Sequence, residues 1–319
     1  MKYLVTGGAG FIGSNIVAEL VARGEKVRVL DNFSTGRREN LLPFLDKIEL
    51  IEGDLTDLET TREAVERMDF VLHQGALPSI PRSVEHPIGS NNANVSGTLN
   101  LLVASKDAKV KRIVYASSSS VYGNSSKLPK VETMNPSPLS PYAVSKLTGE
   151  YYCQVFYRIY RLETVILRYF NVFGINQDPN STYSAVIPKF VSYMLRKKSP
   201  IIFGDGLQSR DFTFVSNVVK ANLMATQSDS AVGEIINIAS GQSYTLLDVI
   251  AKINSLSGYE IKPIMDSPKV GEIKHSLADI TKAKRIFSYS PEINFEEGLK
   301  RMVHWMKSKK ERLKQHITK

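Results

Sequence analysis

The sequence predicts an α/β fold, with a doubly wound parallel sheet in the first half and a smaller C-terminal α/β domain after it. Three observations point there. Short apolar runs alternate with segments of helical period as far as Tyr169. A glycine-rich turn, Gly7-Gly8-Ala9-Gly10-Phe11-Ile12-Gly13, directly follows the first of those runs. Beyond Asn171 the alternation loosens, with Pro179, Pro188, Pro200, Gly174, Gly204 and Gly206 cutting the chain into shorter elements.

In chain order, Tyr3–Thr6 reads as a buried strand, and after the glycine turn Ile16, Val17, Leu20 and Val21 recur at helical period. Strand, glycine turn and helix in that order form the arrangement a pyrophosphate requires. Gly7 can take the tight turn, Gly10 lets the backbone approach the phosphates, Gly13 lets helix pack closely on strand, and the helix N-terminus faces the negative charge. The sheet is therefore expected to be Rossmann-like and its ligand a dinucleotide. Lys26–Leu30 reads as the next strand and ends at Asp31, whose carboxylate can accept hydrogen bonds from an adenosine ribose and would repel a 2′-phosphate. That favours NAD over NADP, although Arg37 and Arg38 follow in the adjoining loop.

Further strands are expected at Ile48–Glu52, Phe70–Gln74, Arg112–Ser117 and Thr164–Tyr169. Ligands of such sheets lie beyond the carboxyl ends of the strands, which puts Asp54, Gln74–Pro78 and Ser117–Ser120 on the rim of the crevice. Phe212–Ala225 again reads as strand and helix and is expected to return to the first sheet. The expected organisation is a cofactor domain over residues 1–171, rejoined by about 208–240, with 172–319 mainly binding substrate.

The composition sets bounds on function. With 319 residues, 42% of them hydrophobic and 23% charged, the chain is long enough for one large or two moderate domains. No apolar run is long enough to span a bilayer, and the N-terminus is strand and turn, so a cytoplasmic location without membrane association is expected. Cys153 is the one cysteine, which rules out an internal disulfide and suggests a buried structural thiol. The net charge of +9 comes largely from Lys307–Lys314 and Arg196-Lys197-Lys198, clusters that read as solvated helix faces. Nothing in the spacing suggests nucleic-acid binding or a metal site, and positive potential equally suits a small polyanion.

Tyr142 and Lys146 stand four residues apart, on one helix face, where the ammonium can lower the phenol's pKa. The spacing alone carries little weight, because Tyr193 and Lys197 share it. Position separates the two pairs. Tyr142 follows a strand that ends in Ser117-Ser118-Ser119-Ser120 on the crevice rim, whereas Tyr193 falls in the looser second half.

With these residues in view, the chain resembles the extended short-chain dehydrogenase/reductase family, specifically its NAD-dependent sugar-nucleotide epimerases and dehydratases, over nearly its whole length. The motifs that match together are Gly7–Gly13, Asp54-Leu55, Ser118–Gly123, Tyr142–Lys146, Arg168-Tyr169-Phe170-Asn171 and Gly204-Asp205-Gly206 leading to Arg210-Asp211-Phe212. The resemblance implies Tyr142 as catalytic base, Lys146 as the group that binds the nicotinamide ribose and tunes Tyr142, and Ser118 as partner of the reacting hydroxyl. Cofactor contacts are implied for Gly7, Gly10, Phe11, Ile12, Gly13, Asp31, Asn32, Ser34, Gly36, Asp54, Leu55, Gln74, Ala76, Asn94, Ser117, Tyr142, Lys146 and Tyr169. For a UDP-sugar substrate they are implied for Ser79, Ser118, Ser119, Tyr142, Asn171, Ala185, Val186, Lys189, Phe203, Arg210, Lys269, Glu272 and Ser276. Arginine is usual at the position of Lys269. A homodimer built from helices near Asn91–Ala104 and Tyr142–Tyr160 is implied as well.

The dehydratases of this family place Asp-Glu directly after the residue matching Ser118, because eliminating water needs an extra acid and base. Ser119 and Ser120 stand there instead, and serine cannot do that work near neutral pH. Related decarboxylases carry glutamate at the position of Ser120. What remains is 4-epimerisation through a transient 4-keto sugar. Ser276, where glucose-only epimerases hold a bulky tyrosine, and the loop Ala76–Ser83 imply that N-acetylated UDP-hexosamines, UDP-GlcNAc and UDP-GalNAc, are accepted. UDP-glucose or a UDP-uronic acid is the nearer alternative. A non-catalytic NAD sensor is the more distant one, disfavoured by the intact Ser118, Tyr142 and Lys146.

Overall fold

The computed structural model of the chain describes residues 1–179, 185–268 and 274–317, with side chains as far as Lys309. Its strands are β1 (Lys2–Thr6), β2 (Lys26–Asp31), β3 (Ile48–Glu52), β4 (Phe70–His73), β5 (Arg112–Ser118), β6 (Glu163–Tyr169), β7 (Val172–Phe173), β8 (Ile201–Phe203), β9 (Ser209–Asp211), β10 (Thr213–Phe214), β11 (Ile235–Ile238), β12 (Ser243–Thr245) and β13 (Ile264–Asp266). The helices are α1 (Phe11–Ala22), α2 (Leu58–Val65), α3 (Ile80–Glu85), α4 (Pro87–Asn91), α5 (Gly97–Asp107), α6 (Pro141–Tyr160), α7 (Val186–Leu195), α8 (Val215–Gln227), α9 (Leu246–Ser257), α10 (Thr281–Phe287) and α11 (Phe295–Ile317). Among the described residues, no helix is long and apolar enough to cross a membrane.

Seven strands form one parallel sheet in the order β11-β6-β5-β4-β1-β2-β3. Both faces are covered by helices, so its central strands are apolar almost without interruption: every residue of β4 and Tyr3–Thr6 of β1 are buried. Each large apolar side chain taken out of water there stabilises the fold by about 1.5–3 kcal/mol. The order reverses between β1 and β4, and the crevice at that switch point faces the glycine turn.

One sequence expectation is corrected. The helix of Phe212–Ala225 does return, α8 packing against α1, β5 and β6, but the strand does not: Thr213–Phe214 pairs with β7 in a separate two-stranded sheet. Asn171 explains the departure, since its φ of 32° turns the chain out of the large sheet directly after β6. An aromatic cluster then holds β7 and β10 together, with Phe173 at 5.5 Å from both Phe214 and Phe295 and Phe212 stacked on Phe295 at 5.4 Å. The large sheet is completed by Ile235–Ile238, which pairs in parallel with Ile166–Tyr169.

Candidate active site

Ser118 is the last residue of β5, and its Oγ accepts the backbone N–H of Ser120 at 3.2 Å, which starts the tight turn Ser119–Tyr122. Ser140 caps α6 by accepting the N–H of Ala143, and Pro141 fills the first helical position, where its missing N–H costs nothing. Tyr142 is thereby the second residue of a helix that packs along β5. One turn on, Lys146 is 4% exposed and its ammonium donates to the Ala116 carbonyl at 2.8 Å.

Burial pushes the Tyr142 phenol above its ordinary value, and a hydrogen bond from Ser118 pulls it back. One turn along α6, the Lys146 ammonium is held on the Ala116 carbonyl. Burial also lowers Lys146 to about 8, opposed by the Glu150 carboxylate one turn further along α6. Tyr193 and Lys197 do not form a comparable pair, since α7 ends at Leu195 and Lys197 lies beyond it with φ of 58°. Cys153 is fully buried, its thiol held in the neutral form by burial.

The glycine turn fits a dinucleotide. Gly7 has φ of 66°, and a Cβ on Gly13 would lie 2.1 Å from the Gly7 carbonyl oxygen, so only glycine allows α1 to approach the turn this closely. No side chain caps α1 at Gly10, which leaves the first-turn N–H groups of Phe11 and Ile12 for an anion. Asp31 closes β2 and accepts from the N–H groups of Ala9 at 2.9 Å and Phe33 at 2.8 Å. Gly36 is packed against that carboxylate, 2.8 Å from Oδ1 to where its Cβ would stand. Asn32 donates to Asp54 at 2.6 Å and receives the Ser34 N–H, which ties the two rim loops together. Burial raises Asp54, but hydrogen bonds from Thr56 and Asn32 outweigh it and keep the carboxylate below its ordinary range.

Four other residues expected at the cofactor are held by neighbours. Gln74 donates to Tyr169 at 3.2 Å and to Asn222 at 3.1 Å, while Leu55 packs on Gly75 and Gly97. Ser117 donates to Glu150. Asn94 lies in a π-helical turn, Asn92–Ser96, where it receives the Leu77 N–H at 2.7 Å and donates to Ser145 at 3.0 Å. Its place is thus under the loop that carries Ala76.

A cavity of about 390 Å³ opens between α7, β8 and β9. It brings together Asn171, Ala185, Val186, Lys189, Phe203 and Arg210, all expected at the substrate. Asn171 donates to the Asp211 carbonyl at 3.0 Å. Ser79 and Ser276 are not on this wall: Ser79 caps α3 through the Arg82 N–H, and Ser276 donates its N–H to Ser209, the residue before Arg210. Ser119 opens the turn beyond Ser118. Lys269 and Glu272 lie outside the described residues.

Two buried networks escaped the sequence. Glu150 and Arg168 are 0% and 1% exposed and meet in two parallel bonds of 2.8 Å and 2.7 Å. The four-residue step from Lys146 to Glu150 could have flagged the carboxylate. His73 forms the second. Thr98 uses its single hydroxyl proton on the Asn94 carbonyl at 2.6 Å, so its oxygen must accept from His73 Nε2, 2.9 Å away. Nδ1 is then bare and accepts from Thr6, which in turn receives the Gly75 N–H. Burial, reinforced by the charge of Lys146, lowers His73 to about 3.

Residues 3–239 match the family described as the NAD dependent epimerase/dehydratase family. The chain belongs to that family. It is an NAD-dependent enzyme. A relative from Methanocaldococcus jannaschii, a putative UDP-glucose 4-epimerase, is 41% identical over 307 residues, covering 96% of this chain and 98% of its own length. The UDP-N-acetylglucosamine 4-epimerase of Methanobrevibacter ruminantium, solved with UDP-N-acetylmuramic acid, superposes with a TM-score of 0.92 at 42% identity, covering 97% of this chain and 98% of its own. The UDP-glucose 4-epimerase of Thermotoga maritima, solved with UDP-glucose, gives 0.93 at 36% identity over 97% of this chain and 99% of its own.

Proposed function

We propose that the chain is a UDP-sugar 4-epimerase acting on UDP-N-acetylhexosamines, interconverting UDP-GlcNAc and UDP-GalNAc. The observation that carries the reaction type is the grouping of Ser118, Tyr142 and Lys146 at the end of β5, with Ser119 and Ser120 supplying no further acid or base. Such a site can move one proton on and off a hydroxyl, but it cannot also drive loss of water. NAD, held by the turn Gly7–Gly13 with Asp31 at its ribose, supplies reversible hydride chemistry at carbon 4.

Tyr142 takes the proton of the 4-hydroxyl and later returns it, and Ser118 hydrogen-bonds the same oxygen. Lys146 adds positive charge beneath the phenol, in a buried setting where charge acts strongly. Arg210 and Lys189 hold the diphosphate while the sugar turns between its two faces.

Acceptance of the N-acetyl group is supported by the small Ser276 beside β9 and by the likeness to the Methanobrevibacter enzyme. The test is a panel of UDP-sugars with product analysis. Interconversion of UDP-GlcNAc and UDP-GalNAc is expected; turnover of UDP-glucose or UDP-glucuronate alone would replace the substrate and leave the reaction type standing.

A second copy of the chain is the partner we propose. Tyr151, Val155 and Ile159 form an exposed stripe along α6, next to Val84 and Ile88 on α3 and α4, with Ile88 76% exposed. A stripe at this spacing suits a helical bundle between two protomers, and sedimentation should give twice the chain mass.

A further inference from the structure

The Lys146 ammonium is buried in a setting short of free counter-charge. The titratable groups around it are Tyr142, Glu150 and Cys153 on α6 itself, Tyr115 on β5 and His73 on β4. Glu150 is engaged by the two parallel bonds from Arg168 of β6 and by the Ser117 hydroxyl. Cys153 is a neutral thiol, and His73 is a neutral imidazole held between Thr6 and Thr98. Two groups are set directly against the charge: the Ala116 carbonyl at 2.8 Å, and the ring of Tyr115, whose centroid lies 5.1 Å from Nζ. An ammonium over an aromatic face is attracted by the negative face of the ring, most strongly where water is excluded, and Tyr115 is fully buried. The ring is also fixed in place. Its hydroxyl donates to the Lys146 carbonyl at 3.3 Å, and it fits against α6 because Gly149 stands there: a Cβ at that position would lie 2.2 Å from the phenol oxygen. His73 flanks the same ring at 5.5 Å. Burial holds the Tyr115 phenol well above its ordinary value, so it stays protonated and acts on the ammonium through its ring.

We propose that Tyr115 is a positioning residue for Lys146, its ring face holding the ammonium one turn along α6 from Tyr142 and stabilising the positive charge there. This rests on the epimerase reading above, in which Lys146 acts in its charged form, and adds to it the group that keeps it charged. The sign is fixed by the two opposing influences. Burial favours the neutral amine and brings the native lysine to about 8, while the ring favours the ammonium. Without the ring, burial is less opposed and the charge is lost at lower pH. Such a change costs little at a pH where the lysine is charged in either case, and most at a pH where it is largely neutral in both. The loss therefore grows with pH, which a simple packing defect does not produce.

The experiment is the pH profile of kcat/KM of the NAD-loaded enzyme, on the UDP-sugar that the substrate panel selects, in wild type, Tyr115→Leu and Tyr115→Phe. Tyr115→Leu is expected to move the alkaline limb down by about one pH unit, so that its deficit grows from slight at about pH 6 to about tenfold at about pH 9. Tyr115→Phe keeps the ring face and should keep the limb within about 0.3 unit of wild type. A deficit in Tyr115→Leu that is the same at every pH, or a Tyr115→Phe limb displaced as far as that of Tyr115→Leu, would overturn the assignment. Urea unfolding supplies a readout independent of turnover. The alkaline gain in stability from Lys146 should begin about one unit lower in Tyr115→Leu than in wild type, and the difference should vanish when both carry Lys146→Met. An alkaline limb that survives in Lys146→Met would overturn the reading of Lys146 as the titrating group, and an unfolding difference that survives there would overturn the role of Tyr115. If Tyr115→Leu does not fold, phenylalanines of increasing ring fluorination at position 115 keep the shape and weaken the negative face. The limb should then step down with each added fluorine, and a limb that stays in place would overturn the assignment.

Discussion

Arg168 and Glu150 meet side-on at 2.8 Å and 2.7 Å with both side chains out of water, and Glu150 also receives the Ser117 hydroxyl. The pair joins β6 to α6, which carries Tyr142 and Lys146, and through Ser117 holds the end of β5, which carries Ser118. Glu150→Ala leaves a buried guanidinium without its counter-charge, and a loss of about 3–5 kcal/mol in urea unfolding is expected. Replacing both partners by methionine should recover much of it. A single variant within about 0.5 kcal/mol of wild type would mean that the pair adds no stability.

Removing the phenol tests the chemistry. Tyr142→Phe should keep its NAD, measured after denaturing the purified protein, and lose about 10²–10⁴-fold in turnover. Unchanged turnover would take Tyr142 out of the mechanism.

Glycine substitutions in the nucleotide turn should be graded by space. A methyl group at Gly13 would come within 2.1 Å of a backbone oxygen, against 3.1 Å at Gly10. Gly13→Ala is therefore expected to purify with little NAD and a lowered Tm, and Gly10→Ala to be milder on the Tm. Equal effects on stability would argue against the close approach of α1.

The neutral His73 makes stability depend on pH. Its ordinary value is 6.5, and burial brings the native one to about 3, so between these values the unfolded chain binds a proton that the native chain does not. Stability from this source is complete above pH 6.5 and falls as the pH drops towards 3, by about 1.4 kcal/mol per unit inside that window. In urea titrations, His73→Gln, whose amide can still bridge Thr6 and Thr98, should lose that part of the acid slope. A slope identical to wild type would mean that His73 is charged in the native state.

Lys146 responds at the other end of the scale. With the native ammonium at about 8, its charge fades as the pH rises through that value, and kcat/KM should decline on the alkaline side. Stability runs the opposite way: up to 10.5 the unfolded chain holds the extra proton, so this group's contribution grows from about pH 8 upwards. In Lys146→Met the alkaline limb of any residual activity should disappear.

The parts of this molecule written in short-range patterns were legible in the sequence. The strands of the large sheet up to β6, the glycine turn, and the Tyr142–Lys146 step all depend on neighbours within a few residues. Non-local partners were not legible. Nothing near Tyr115 in the chain announces that its ring will face an ammonium on α6, and His73 ends an apolar run that would read equally well with any buried residue. The four residues Ile235–Ile238, three of them isoleucine, carry no motif, while Phe212–Phe214 looks like a sheet strand and is diverted by its aromatic partners. Lys146 illustrates the same limit, since its spacing from Tyr142 was visible and its attachment to the Ala116 carbonyl was not.

The position of β11 at the edge of the large sheet also bears on synthesis. The strand beside β6 is made only when the ribosome reaches Ile238, long after β6 itself has emerged. Until then a nascent chain would present the hydrogen-bonding edge of a strand buried in the native fold, Thr164–Tyr169, to whatever else is in the cell. Pauses in translation between these two points are where a chaperone would matter most.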